Sequence, residues 1–85
     1  MSLMKCVEIY VNHKKSNRTR YNLREVYLNP NKILFVTEDK EIKELLENGV
    51  IDHLSKDHEF TRIAFDNGTA VSIVGSVETT LRKVK

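Results

Sequence analysis

Eighty-five residues, of which 40% are hydrophobic and 31% charged, are enough for one small domain with a modest core. No apolar run approaches the roughly 20 residues of a membrane-spanning helix, and a single cysteine, Cys6, excludes an internal disulfide, so the composition fits a cytoplasmic protein with no membrane partner. The net charge of +2 conceals a segregation: residues 1–37 carry +5, residues 38–59 carry −5 and residues 60–85 carry +2. Such blocks mean either separate basic and acidic faces or two elements that attract each other within one fold.

Met1 to Leu3 read as an expression scar, with Met4 as the native start and residues 4–85 as a single domain. In KCVEIYVNH, Val7, Ile9 and Val11 alternate with Cys6, Glu8 and Tyr10, which is the period of a strand. The stretch HKKSNRTR follows, concentrating Lys14, Lys15, Arg18 and Arg20 in eight residues. A second strand is expected in TRYNLREVYLN. Leu23 and Val26 are three apart, so a bulge near Arg24–Glu25 would be needed to put them on one face. Asn29-Pro30-Asn31 is a turn signal, and KILFVTE after it is a third strand.

From Asp39 the period changes. Ile42, Leu45 and Leu46 share one helical face, lysine and glutamate fill the other, and Gly49 stands where a helix-terminating glycine belongs, giving a helix of about ten residues. Val50, Ile51 and Leu54 extend or follow it, and SKDHE is a polar connection. FTRIAFDNGTAVSIVGS reads as a hairpin. A two-residue Asn67-Gly68 loop would pair Ile63 with Ser72. A three-residue Asp66-Asn67-Gly68 loop pairs Ile63 with Val71 and Thr61 with Ile73, gathering the apolar side chains on one face, and is preferred. Ser76 caps a terminal helix whose Val77, Leu81 and Val84 form a stripe. The order β-β-β-α-β-β-α predicts an α+β domain built on a small antiparallel sheet of about five strands. The first and third strands are apolar on both sides, and only two short helices are available as covers. Self-association is the simplest supply of a further cover, with a two-fold homodimer as the first expectation.

In VYLNPNKI and in TRIAFDNGTAVSIVGSVETTLRKV, the positions Tyr27, Leu28, Asn29 and Ile33, then Ile63, Gly68, Val71, Val77 and Val84, resemble the small flagellar protein family FlbD. The resemblance covers residues 23–38 and 60–84. The N-terminal strand and the acidic helical segment have no counterpart in that pattern. What the resemblance implies is a compact, non-enzymatic, regulatory β domain without a catalytic residue to transfer.

Chemical motifs are sparse. His53 and His58 lie beside Asp52, Asp57 and Glu59, but five residues on a helix separates them by about 140°, so they share no helical face and no metal site is expected. Cys6 in a strand reads as a small buried hydrophobe, the three glycines form no phosphate loop, and neither a cofactor nor enzymatic activity is expected. Two surfaces remain as candidates for contact. One is basic: Lys14, Lys15, Arg18, Arg20 and Arg24, with Tyr10 or Tyr21 as stacking partners, could meet nucleic acid or a protein partner. Against the nucleic-acid reading stand a pI of about 8.8 and the need of any strand connection to be polar. The other is acidic: Glu38, Asp39, Glu41, Glu44 and Glu47, with Lys40 and Lys43 interspersed, read first as the solvated outer face of a helix packed on the sheet and alternatively as a docking face. The expectation is a small cytoplasmic interaction or regulatory module that self-associates. A nucleic-acid-binding regulator is the alternative.

Overall fold

Seven elements follow one another as β1 (Met4–Val11), β2 (Tyr21–Leu28), β3 (Ile33–Glu38), α1 (Lys40–Glu47), β4 (Phe60–Phe65), β5 (Ala70–Val74) and α2 (Val77–Val84). They are seen in a computed structural model that describes residues 3–12, 21–51 and 54–84. This is the expected α+β domain with its elements in the expected order. The five strands form one sheet in the order β2-β1-β5-β4-β3, and every neighbouring pair is antiparallel. Among the described residues no helix is long and apolar enough to cross a membrane.

The link between β2 and β3 fixes the shape of the sheet. These strands are its two edges, so a flat arrangement would separate them by four spacings of about 4.8 Å, or roughly 19 Å, before any offset along the strands. Four residues join Leu28 to Ile33, and three of them form a 3-10 turn, Pro30–Lys32, shortening a reach that even fully extended would be about 18 Å. Four antiparallel steps also leave β2 and β3 running the same way, so the sheet must coil until the end of β2 meets the start of β3. The apolar contacts agree: Val26 and Leu28 of β2 and Ile33 and Val36 of β3 pack on one cluster of buried side chains, Met4, Cys6, Ile63 and Ile73. The turn itself follows from its residues. Pro30 needs no N–H partner at the start of the turn, and the Asn29 side chain accepts the N–H of Asn31 at 3.0 Å.

A second cluster, Ile9, Leu46, Ile51 and Phe60, lies on the other face of the sheet, where Ile42 and Leu45 of α1 pack on it together with Tyr21, Leu54 and Val74. Two apolar faces explain why β2 has no bulge. Its register with β1 runs unbroken from Met4 opposite Leu28 to Val11 opposite Tyr21, so the expected bulge near Arg24–Glu25 is absent. Leu23 and Val26 need not share a face, because each face has apolar neighbours to offer: Val26 stands opposite Cys6 and Leu23 opposite Ile9.

The β4–β5 hairpin adopts the three-residue register. Ile63 pairs with Val71 and Thr61 with Ile73, Phe65 N–H donates to Thr69 O at 2.8 Å, and Gly68 takes φ +87°, a conformation that costs a side-chain-bearing residue more than glycine. At α2 the Ser76 hydroxyl accepts the Thr79 N–H at 3.1 Å, the expected cap. The inward stripe differs from expectation: Thr80 is buried and Val84 packs on the first cluster, while Leu81 is 50% exposed. Thr80 can be buried because its hydroxyl donates to Ser76 O at 2.9 Å within the same helix, leaving no orphaned polar atom.

Candidate functional site

Of the candidate contact residues, Arg24 and all five acids lie within the described residues. Lys14, Lys15, Arg18 and Arg20 lie outside the described residues, as does His53. Val11 and Tyr21, which flank the basic stretch, stand opposite each other at the end of the β1–β2 ladder. Arg24 faces Glu8 across that ladder, and its Nε donates to Glu8 Oε1 at 2.8 Å, with its Cζ 4.3 Å from the centre of the Tyr10 ring. Glu8 is buried, so the contact neutralises a carboxylate that would be costly to leave alone. Arg24 and Tyr10 thus satisfy each other and Glu8. The Arg24 side chain nevertheless remains more than half exposed beyond its Nε.

On the opposite face of the same two strands, Lys5 Nζ lies 3.1 Å from Glu25 Oε2. The Glu25 carboxylate, accepting a hydrogen bond from this ammonium and attracting its charge, holds the Lys5 pKa above its ordinary value. Both groups are well exposed, so the pair adds little stability, but it leaves β2 without an uncompensated charge at its centre.

The acidic candidates divide in two. Asp39 is buried and turned inward: Oδ1 accepts the Ile42 N–H at 3.2 Å, capping α1, and Oδ2 accepts the Ser72 hydroxyl from β5. It anchors the helix to the sheet and does not belong to an outer face. Glu41, Glu44 and Glu47 are exposed along α1, and Glu38 is exposed at the end of β3. Lys43, which the sequence places among these acids, instead donates through Nζ to Lys56 O at 2.7 Å and His58 O at 2.8 Å, clamping the connection to β4. A hollow of about 380 Å³ where β3 meets α1 is lined by Thr37, Glu38, Asp39, Lys40, Glu41 and Arg62.

Among the described residues, no group of three or more His, Cys, Asp and Glu side chains could hold a metal ion. His58 packs edge-on against Phe60, with ring centroids 6.4 Å apart. Cys6 is buried, and burial pushes its thiol pKa up, opposed in part by the Lys83 ammonium. Both residues are parts of the packing.

The feature that residue patterns alone missed is that β2 and β3 form the two sheet edges and expose large apolar side chains there. On β2, Leu23 is 40% and Tyr27 60% exposed; on β3, Leu34 is 67% and Phe35 50% exposed. Reading it required knowing which strands lie at the edges, which is set by pairing between strands distant in sequence. Comparison with protein-family models, curated proteins and solved structures finds no match to this chain.

Proposed function

We propose that this chain is a small, non-enzymatic interaction module of the cytoplasm that works by self-association and regulates through the surfaces it presents. The observation that carries the reading is the set of four large apolar side chains, Leu23, Tyr27, Leu34 and Phe35, left exposed on the two edge strands. Single exposed apolar residues are ordinary on a protein surface, but edge strands are where a folded domain is most exposed to pairing with another chain, and charge usually guards them.

Sedimentation equilibrium of the intact chain from low micromolar to near-millimolar concentration tests the reading. A reversible monomer–dimer equilibrium is expected, and a monomer at every concentration would refute it. The competing function is nucleic-acid binding through Lys14, Lys15, Arg18, Arg20 and Arg24, the last of which also pairs with Glu8. Binding to labelled DNA or RNA that falls steeply with salt, and that is lost when the first four of these residues become serine, would favour it instead.

A further inference from the structure

We infer that the dimer forms by antiparallel pairing of β2 with β2 of a second copy, about a two-fold axis beside Glu25, so that Leu23 of each protomer packs against Tyr27 of the other. The inference rests on the self-association proposed above and adds its surface and register.

Three observations single out β2. First, it is the longer edge strand, eight residues against six for β3, and it keeps one register with β1 throughout, whereas the register of β3 with β4 shifts between Ile33 and Phe35. A regular strand offers its outward backbone groups at even spacing, which a second strand can match; an irregular one does not. Second, the charges that normally guard an edge are neutralised from within. Arg24 is held by Glu8 on one face and Glu25 by Lys5 on the other, both partners lying on β1. Third, the exposed apolar residues of β2, Leu23 and Tyr27, lie on one face, the one shared with Lys5 and Ile9.

Two-fold symmetry then restricts the register. Residues directly opposite must lie on the same face, so the axis passes beside a residue that meets its own copy. Placing Arg24 on the axis sets Leu23 against Glu25. Placing Glu25 there sets Leu23 against Tyr27 twice, with Arg24 opposite Val26. In the second arrangement the two Glu25 carboxylates approach, and each retains its own Lys5, so the axis carries a Lys-Glu-Glu-Lys row of zero net charge. That register covers the exposed apolar side chains and isolates no charge.

The test uses the full chain with exchanged charges. Leu23→Glu and Tyr27→Lys are each expected to raise the dissociation constant by about tenfold or more, because symmetry applies every change twice. An equimolar mixture is expected to recover the dimer, since one heterodimer site joins the introduced glutamate to the introduced lysine while the other keeps a native Leu23–Tyr27 contact. Phe35→Glu on the opposite edge is expected to leave the dimer intact, and urea unfolding of each variant checks that the monomers are folded. Persistence of the dimer in folded Leu23→Glu, or its loss in folded Phe35→Glu alone, would overturn the β2 interface while leaving self-association standing. Failure of the mixture to recover the dimer would overturn the register, and a monomeric wild type would overturn the proposed function and this inference together.

Discussion

Replacing Asp39 with alanine removes two attachments of α1 at once. The Ile42 N–H loses its cap, a change worth about 1 kcal/mol in most helices, and the Ser72 hydroxyl loses a charged acceptor, worth roughly 1.5–3 kcal/mol. The two losses overlap, so the expected destabilisation is about 2–4 kcal/mol, corresponding for a domain of this size to a fall in Tm of about 10–25 °C. Ser72→Ala leaves a buried carboxylate oxygen without its donor and is itself destabilising. The double variant should therefore lose less than the sum of the single ones, by about 1–2 kcal/mol. Urea unfolding followed by circular dichroism gives all four values of the cycle. A coupling near zero, or Asp39→Ala within about 0.5 kcal/mol of wild type, would refute the assignment of Asp39 as the joint between helix and sheet.

Other consequences follow from single contacts. Gly68→Ala is expected to cost about 1 kcal/mol in urea unfolding, because the hairpin holds this residue at φ +87°; an unchanged midpoint would contradict the three-residue turn. Lys43→Met keeps the apolar stem but removes the donor to Lys56 O and His58 O, so limited trypsin digestion should cut after Lys56 faster than in wild type, and an unchanged rate would deny the clamp. Burial raises the Cys6 pKa in the folded state, so the unfolded chain releases its thiol proton first. The contribution of Cys6 to stability is whole below the ordinary thiol value of 9.0 and is lost as pH rises through it towards the folded value. Wild type should therefore lose stability relative to Cys6→Ala above about pH 9, and parallel pH profiles for the two proteins would contradict the buried placement.

Local signals decided most of the architecture. The Asp66-Asn67-Gly68 loop was legible because only one register put Ile63, Val71 and Ile73 together, and the cap at Ser76 because a serine stood before a helical stripe. What could not be read was set by contacts distant in sequence. The bulge expected at Arg24–Glu25 assumed one apolar face per strand, whereas both faces of the sheet carry apolar clusters, so Val26 packs on one face while Leu23, on the other, stands opposite Ile9 and stays partly exposed. By hydropathy Leu81 fits the stripe better than Thr80, but the face of α2 that meets the sheet is the one carrying Thr80 and Val84, and the hydroxyl bond to Ser76 O lets the threonine be buried there without an orphaned polar atom. The charge blocks misled for a related reason. Arg24, Asp39 and Lys43 look like surface charges in sequence, yet each is spent on a partner at least 13 residues away.

Self-association through β2 is tested most directly by an isotope-filtered NOE experiment on a sample mixed from labelled and unlabelled chains. Only contacts between protomers survive the filter. The account predicts cross-peaks from the Leu23 methyl groups of one chain to the Tyr27 ring of the other, at concentrations where the dimer is populated. A dimer without those cross-peaks would contradict the β2 interface, and the absence of any inter-chain signal up to near-millimolar concentration would contradict self-association itself.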